Sequence, residues 1–227
     1  MLIDPRHPAP DGRTRIKLCG MTREQDVDAA VALGVDAVGL VFYGPSPRDL
    51  SIEQAACLAA RVPAGIDAVG LFVNASRAEV DAVLDRVPLT LLQFHGDETP
   101  ADCAGYRVPF IKAARVLPGL DLLEFAASFD EAAALLLDTH TAGYGGSGKV
   151  FDWSLVPHAL IGPAAARRVV LSGGLNAANV ADAIAHLRPF AVDTSSGVES
   201  AKGIKDPAAM RDFVAAVRLA DRSISKV

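Results

Sequence analysis

The 227-residue sequence predicts an α/β protein that folds as a single (β/α)8 TIM barrel. Short, β-rich apolar runs alternate along the chain with Ala-rich stretches whose apolar residues recur three and four positions apart. Eight such runs are present, and no Ser/Gly linker or charge block divides them. Strand-helix alternation implies right-handed parallel crossovers, and eight units in roughly 200 residues fit a closed barrel better than an open sheet.

The eight candidate strands are short and apolar, which is typical of a parallel sheet. In chain order they are RIKLCG (15–20), DAVGLVF (36–42), DAVGLFV (67–73), LTLLQFH (89–95), PFIKAAR (109–115), ALLLDT (134–139), RVVLSG (168–173) and FAVDTS (190–195).

The segments between the strands predict helices that begin with a capping residue. Examples that open with Thr, Ser or Asn are TREQDVDAAVALG (22–34), SIEQAACLAARV (51–62), SRAEVDAVLDRV (76–87) and NAANVADAIAHL (176–187). Residues 1–14 lie outside the pattern. We therefore expect a poorly ordered N-terminal extension over 1–14 and a barrel domain over 15–227.

Composition narrows the class of protein. The 22 Lys and Arg against 27 Asp and Glu give a net charge of -5, so no broad basic surface for nucleic acid is expected. No apolar stretch approaches the roughly 18 residues of a membrane span and no signal peptide is evident, which predicts a cytoplasmic protein without a membrane partner.

The three cysteines are Cys19, Cys57 and Cys103. Their number is odd and their spacing is wide, so neither a disulfide framework nor a zinc site is indicated. Cys57 and Cys103 fall in helical segments, where we expect a buried thiol that acts as a small hydrophobic group.

Alternate residues of a barrel strand point inward, and the active site forms at the C-terminal ends of the strands. In IKLCGMT (16–22), an inward Cys19 requires an inward Lys17, while Ile16 and Leu18 pack against helices.

The same parity pairs Gln93 with His95 and places Asp138 and Asp193 at the last inward positions of strands six and eight. Any one of these residues alone reads better as a satisfied residue at a strand end. A lysine, a thiol, a histidine and two carboxylates together at one mouth are costly to desolvate, and this cluster favours an enzyme.

Two late segments indicate a phosphate site. LSGGLN (171–176) and DTSSGVE (193–199) each place small residues at a strand-to-helix turn, where backbone N–H groups can approach an anion. The candidate phosphate-binding residues are Gly173, Gly174, Ser195, Ser196 and Gly197.

A third glycine-rich stretch, GYGGSGKV (143–150), matches the pattern of a nucleotide-binding P-loop. Val150 stands where a Ser or Thr hydroxyl would bind magnesium, which argues against a nucleotide hydrolase. A loop beside the mouth, with glycine hinges and able to cover a bound ligand, fits this stretch better.

Seven ordered segments resemble the phosphoribosylanthranilate isomerase family of tryptophan biosynthesis, over residues 16 to about 214. They are IKLCGMT, GLVFYGPSPR, VGLFVN, LLQFHGDE, LLLDTHTAGYGGSGKVFDWSL, LSGGLN and FAVDTSSGVE. The resemblance implies a (β/α)8 barrel that catalyses the Amadori rearrangement of N-(5-phosphoribosyl)anthranilate. It implies a phosphosugar substrate and neither cofactor nor metal, and a monomer and a homodimer both remain open.

By the resemblance, Cys19 is the general base, Asp138 is the general acid, and Arg48 contacts the anthranilate carboxylate. Asp49 departs from the family pattern, where a bulkier or aromatic residue is expected, and an acid there could weaken the field of Arg48. We expect Lys17 to lower the pKa of Cys19 toward a thiolate.

His95 reads equally well as a ligand contact and as a structural residue at a strand end. Asp193 is expected to hold Lys17 or to shape the phosphate loop. No role is assigned to the other histidines, which are His7, His140, His158 and His186.

Three other functions stay open. The first is a related phosphosugar barrel enzyme, such as indole-glycerol-phosphate synthase or the corresponding isomerase of histidine biosynthesis. By resemblance, the former has a lysine-centred set of acid and base residues and the latter usually uses two aspartates. The pairing of Cys19 with Asp138 argues against both. The others are a non-catalytic phosphate-binding barrel and the P-loop hydrolase.

Overall fold

The computed structural model describes residues 1–3, 13–139, 151–161 and 168–224. Its eight parallel strands pair in chain order and β8 closes on β1, so the predicted barrel and all eight predicted strands are confirmed. The strands are β1 Arg15–Cys19, β2 Ala37–Phe42, β3 Asp67–Phe72, β4 Leu91–Phe94, β5 Phe110–Val116, β6 Ala134–Thr139, β7 Val169–Leu171 and β8 Ala191–Thr194.

Helices surround the barrel. They are α1 Glu24–Ala32, α2 Ile52–Ala59, α3 Arg77–Arg86, α4 Pro100–Cys103, α5 Leu122–Ser128, α6 Val180–Leu187 and α7 Pro207–Ile224. The described part of the β6–β7 connection contains two 3-10 turns, Trp153–Leu155 and His158–Leu160. After β8 come a third 3-10 turn, Ser196–Val198, and a hairpin of β9 Glu199–Ala201 and β10 Ile204–Lys205.

The predicted helix caps are correct in part. Ser51 and Ser76 close capping boxes at the starts of α2 and α3. Thr22 does not cap α1, whose N-cap is Arg23, because the Thr22 hydroxyl donates instead to the turn between β9 and β10. Asn176 precedes α6 by four residues and lies in the turn that leads into it.

Strand parity correctly predicted which side chains enter the barrel. Ile16 and Leu18 pack between the barrel and the helices, whereas Lys17 and Cys19 point inward. A second cluster of buried apolar residues fills the barrel interior toward its N-terminal end and is separate from the core between barrel and helices. This inner cluster includes Leu2, Ile3, Ala37, Leu91, Ala134 and Ala191. Apolar residues fill most of that end, whereas Cys19, His95 and Asp138 lie at the C-terminal mouth.

The first three residues of the predicted N-terminal extension lie against the barrel. Leu2 and Ile3 are buried in the inner cluster, which also contains Ala37 and Ala191. Their backbone N–H groups donate to Oδ2 of Asp67 at 2.7 and 3.1 Å. Residues 4–12 lie outside the described residues.

The two helical cysteines differ. Cys103 is buried, as predicted, and burial raises the pKa of its thiol to about 12. Cys57 is exposed on α2, so the prediction of a buried thiol is wrong there.

Candidate active site

An open cleft enclosing about 750 Å³ of empty space lies at the C-terminal ends of the strands. Nine of the residues predicted from the sequence line it: Cys19, Arg48, His95, Asp138, Gly173, Gly174, Asp193, Ser195 and Ser196. The other two, Lys17 and Gly197, do not line it and support residues that do.

Cys19 ends β1 and is almost completely buried. Gly39 is its partner on β2, and a Cβ atom at Gly39 would lie 2.5 Å from the Cys19 Sγ. Glycine at position 39 therefore provides the space in which the thiol sits.

Lys17 forms a buried ion pair with Asp193. The two residues are register partners on β1 and β8, and the Nζ of Lys17 lies 2.8 Å from Oδ1 of Asp193. The Ser172 hydroxyl donates to the other oxygen, Oδ2, at 3.1 Å. The expectation that Asp193 holds Lys17 is confirmed.

The pKa of Cys19 moves in the direction opposite to our expectation. Burial raises it, and the opposing effect of Lys17 is smaller, while the negative charge of Asp193 raises it further. Burial alone would lower the pKa of Lys17, but its attraction to Asp193 and to the Cys19 thiolate outweighs burial and the net shift is upward. Lys17 thus stays charged while the unliganded site favours the neutral thiol.

Asp138 lies near the end of β6 and is held by two neighbours. Its Oδ1 accepts the backbone N–H of Thr139 at 2.7 Å, and its Oδ2 is 3.0 Å from Nε2 of His95. Gln93 extends this into a row of three hydrogen-bonded side chains, Gln93, His95 and Asp138, because its amide Nε2 is 2.9 Å from Nδ1 of His95.

The row assigns the tautomer of His95. An amide nitrogen can only donate, so in this arrangement Nδ1 of His95 accepts and Nε2 carries the hydrogen that points at Asp138. The other amide atom, Oε1 of Gln93, is buried and has no hydrogen-bond partner among the described residues.

Glycines allow close approaches in the loops after β7 and β8. A Cβ atom at Gly173, whose φ is +84°, would lie 2.4 Å from Oγ1 of Thr139 and 3.0 Å from Oδ1 of Asp138. A Cβ at Gly197 would lie 2.0 Å from the carbonyl oxygen of Leu175, so the two loops pack together only because position 197 is glycine.

Arg48 is paired with Glu199 rather than with its sequence neighbour. Its Nε and Nη2 donate to the two oxygens of Glu199, each at 2.7 Å. Asp49 instead accepts the backbone N–H of Tyr43 at 2.7 Å. The acid that sets the field of Arg48 is therefore Glu199.

Lys205 joins this pair to the loop after β8. Its Nζ donates to Oε1 of Glu199 at 2.9 Å and to the carbonyl oxygen of Ser195 at 3.0 Å. Burial lowers the pKa of Lys205, and the nearby Glu199 opposes that shift.

Sequence reasoning did not single out Glu199, Lys205 or Ser172 as site residues. Glu199 ends the segment DTSSGVE and Ser172 lies in LSGGLN, so both were within segments already noted for their glycines. Lys205 carried no signal, since it lies in a two-residue strand beyond the motif.

Some predicted features fall outside the described residues: the stretch 143–150, His7 and His140. Within the described ranges, no group of three or more His, Cys, Asp or Glu residues is arranged to hold a metal ion. None of the helices there has the length and apolarity that a membrane crossing requires.

The sequence matches known proteins along most of its length. A family model described as N-(5'phosphoribosyl)anthranilate (PRA) isomerase matches residues 16–216. An N-(5'-phosphoribosyl)anthranilate isomerase from Methylibium petroleiphilum is 59% identical over 213 residues, which cover 94% of this chain and 98% of the relative. One from Ralstonia nicotianae is 57% identical over 223 residues, covering 95% and 97%.

Solved structures agree with this match. A phosphoribosyl anthranilate isomerase from Thermotoga maritima superposes with a TM-score of 0.82 at 42% identity, covering 90% of this chain and 98% of that one. One in complex with reduced 1-(o-carboxyphenylamino)-1-deoxyribulose 5-phosphate has a TM-score of 0.77 at 39% identity, with the same coverage. Monomers generated from the dimeric Thermotoga maritima enzyme give 0.78 at 38%, again with that coverage.

Proposed function

The chain belongs to the N-(5'-phosphoribosyl)anthranilate isomerase family, and we propose that Cys19 and Asp138 carry the reaction of that family at the mouth of its barrel. The chain is an isomerase of tryptophan biosynthesis. It converts N-(5-phosphoribosyl)anthranilate into 1-(2-carboxyphenylamino)-1-deoxyribulose 5-phosphate by an Amadori rearrangement. The observation that supports the two roles is that a thiol on β1 and a carboxyl group on β6 line one cleft.

Asp138 acts first, as the general acid. Its carboxyl proton goes to the ring oxygen of the furanose, the C1–O bond breaks, and the nitrogen lone pair forms a C1=N iminium. Asp138 becomes a carboxylate as the proton leaves. The N–H groups of Thr139 and His95 are placed to stabilise that developing charge, at 2.7 and 3.0 Å.

Gln93 supports this step through His95. By donating to Nδ1, its amide keeps the hydrogen of the imidazole on Nε2, where it can donate to the carboxylate. The opposite tautomer would present a lone pair to the carboxylate and destabilise it.

Cys19 acts second, as the general base. The iminium acidifies the C2 proton of the sugar, and the thiolate removes it. The C2–H electron pair forms the C1=C2 bond of an enolamine while the iminium electrons return to nitrogen. Tautomerisation of the enolamine then gives the ketone.

Burial makes the thiolate the less stable form of Cys19, so the base needs help. Lys17 is the adjacent cation, fully buried and fixed by Asp193. We assign Lys17 the role of offsetting part of the effect of burial on the pKa of Cys19. We assign Lys17 no direct contact with the substrate, because its side chain does not line the cleft.

The two ends of the substrate differ chemically and are bound at different places. The turns after β7 and β8 are proposed to bind the phosphate through their backbone N–H groups, with Gly173, Gly174, Ser195 and Ser196 at the cleft and Gly197 behind them. Arg48 is proposed to bind the anthranilate carboxylate.

We further propose that the enzyme is cytoplasmic, acts as a monomer or homodimer, and binds no nucleic acid. The net charge of -5 supports the last point. Light scattering during size-exclusion chromatography would give the oligomeric state.

The function is tested by supplying freshly made N-(5-phosphoribosyl)anthranilate and following the loss of its anthranilate fluorescence. The wild-type chain should consume the substrate, and a folded Cys19→Ala variant should not do so at a comparable rate. Turnover of Cys19→Ala near the wild-type rate would show that Cys19 is not the base.

A further inference from the structure

Glu199 has no role in the proton transfers by Asp138 and Cys19. It lies between two cations, Arg48 and Lys205, and its side chain is only 5% exposed. Burial alone would raise the pKa of this carboxyl group, but the hydrogen bonds and charges of Arg48 and Lys205 outweigh burial and lower it. Glu199 is therefore a buried carboxylate rather than a neutral acid.

The pairing uses one particular edge of the Arg48 guanidinium. Nε and Nη2 form the side-on edge, and both donate to Glu199. Nη1 makes no hydrogen bond to any described residue, which leaves the end-on edge of Nη1 and Nη2 for a second carboxylate. A guanidinium can bind one carboxylate on each of these edges because its five N–H groups lie in one plane.

The stem of Arg48 is also fixed. Gly20 follows Cys19 with φ +79°, and a Cβ atom there would lie 2.3 Å from Cδ of Arg48. Glycine thus lets the Arg48 stem lie against the end of β1 while Glu199 holds its head. With both ends held, the direction of the free edge is determined by the protein before any ligand arrives.

The charge balance favours one further anion. Arg48 and Lys205 carry two positive charges and Glu199 one negative charge, so the cluster retains one net positive charge. Without Glu199, two buried cations would repel each other and Arg48 would lose the partner that orients it.

We propose that Glu199 is a positioning residue that presents the end-on edge of Arg48 to the substrate and thereby selects an aromatic ring that carries a carboxylate. The inference rests on the proposed role of Arg48 as the carboxylate contact. Glu199 itself touches Arg48 and Lys205, and it acts on the substrate through Arg48.

The test compares two ligands in each variant by titration calorimetry. One is reduced 1-(o-carboxyphenylamino)-1-deoxyribulose 5-phosphate, and the other is the same molecule without the carboxyl group. We define the ratio as the Kd of the ligand without the carboxyl group divided by the Kd of the carboxylated ligand. This ratio isolates recognition of the carboxylate. A merely structural role for Glu199 would weaken both ligands equally and leave the ratio unchanged.

In Glu199→Gln we expect the ratio to fall at least tenfold, with most of the loss in the carboxylated ligand. Glu53→Gln is the matched control, since Glu53 pairs with Arg86 at 2.7 Å on the surface, and its ratio should equal that of the wild type. Glu199→Asp keeps the charge but shortens the reach, and we expect an intermediate ratio. A wild-type ratio in folded Glu199→Gln or in Glu199→Asp overturns the proposal.

Arg48→Met separates this inference from the role of Arg48. If Arg48→Met lowers the ratio and Glu199→Gln does not, only the role of Glu199 fails. If Arg48→Met keeps the wild-type ratio, Arg48 is not the carboxylate contact, and both proposals fail.

Discussion

Lys17 and Asp193 form an ion pair of 2.8 Å within the barrel. Lys17 lies two residues before Cys19 on the same face of β1. The pair keeps a positive charge beside a buried thiol, yet part of that charge is neutralised by Asp193. Burial raises the pKa of Cys19 above the ordinary thiol value, because the charge of Lys17 offsets only part of that effect and Asp193 adds to it.

We expect activity to rise with pH. A base acts in its deprotonated form, and because the pKa of Cys19 is raised, the thiolate fraction of the free enzyme is small at neutral pH and increases above the ordinary thiol value of about 8.5. The pH profile of kcat/KM should show this limb, as should alkylation of Cys19 by iodoacetamide in a Cys57→Ser background. An alkylation rate that levels off well below pH 8 would contradict the direction of the shift.

Lys17→Met should weaken both stability and turnover. The substitution leaves Asp193 as an unpaired buried charge, which costs about 3–5 kcal/mol of unfolding free energy. The double variant Lys17→Met/Asp193→Asn removes both charges and should recover much of that stability but not the turnover. Urea unfolding and kcat measure the two effects, and equal stability of the single and double variants would argue against the pair.

Asp138→Asn should lower kcat by several orders of magnitude, with a smaller change in KM. An amide of the same shape cannot supply the proton that opens the furanose ring, while contacts to the bound substrate persist. Steady-state kinetics with circular dichroism as a folding check measure the effect. An unchanged kcat would remove Asp138 from the role of the acid.

Gln93→Leu should reduce kcat at least about tenfold, equivalent to about 1.4 kcal/mol. Without the amide donor, His95 is free to place its hydrogen on Nδ1 and no longer stabilises the Asp138 carboxylate. Nitrogen NMR of the imidazole reports the tautomer directly. Gln25→Leu, at an exposed position of α1, is the control and should leave kcat and the tautomer as in the wild type. An Nδ1–H tautomer in the wild type would refute this role.

Leu2→Ala should destabilise the barrel by about 2–5 kcal/mol, because it removes a fully buried side chain from the inner cluster. At a temperature where the variant is folded, kcat should stay near the wild-type value, since the cluster lies at the opposite end of the barrel from the cleft. Leu219→Ala, at a side chain 61% exposed on α7, is the matched control and should cost less than about 0.5 kcal/mol. Equal stability of the two variants would contradict a structural role for Leu2.

Local patterns in the sequence were sufficient to predict the barrel and one face of each strand. Apolar runs and helical spacing depend on neighbouring residues only, so the eight strands could be predicted within a few residues of their ends. Side chains alternate along a strand with a period of two, and this placed Lys17 and Cys19 together without any tertiary information.

Tertiary structure decided which groups became partners and how their charges balance. Arg48 and Glu199 are 151 positions apart, and nothing near Arg48 in the sequence distinguishes Glu199 from Asp49 as its partner. The upward shift in the pKa of Cys19 depends on burial by the whole barrel, which no spacing of residues reveals. Strand periodicity is set by the local backbone, whereas ion pairs and desolvation depend on distances between segments that only the closed barrel brings together.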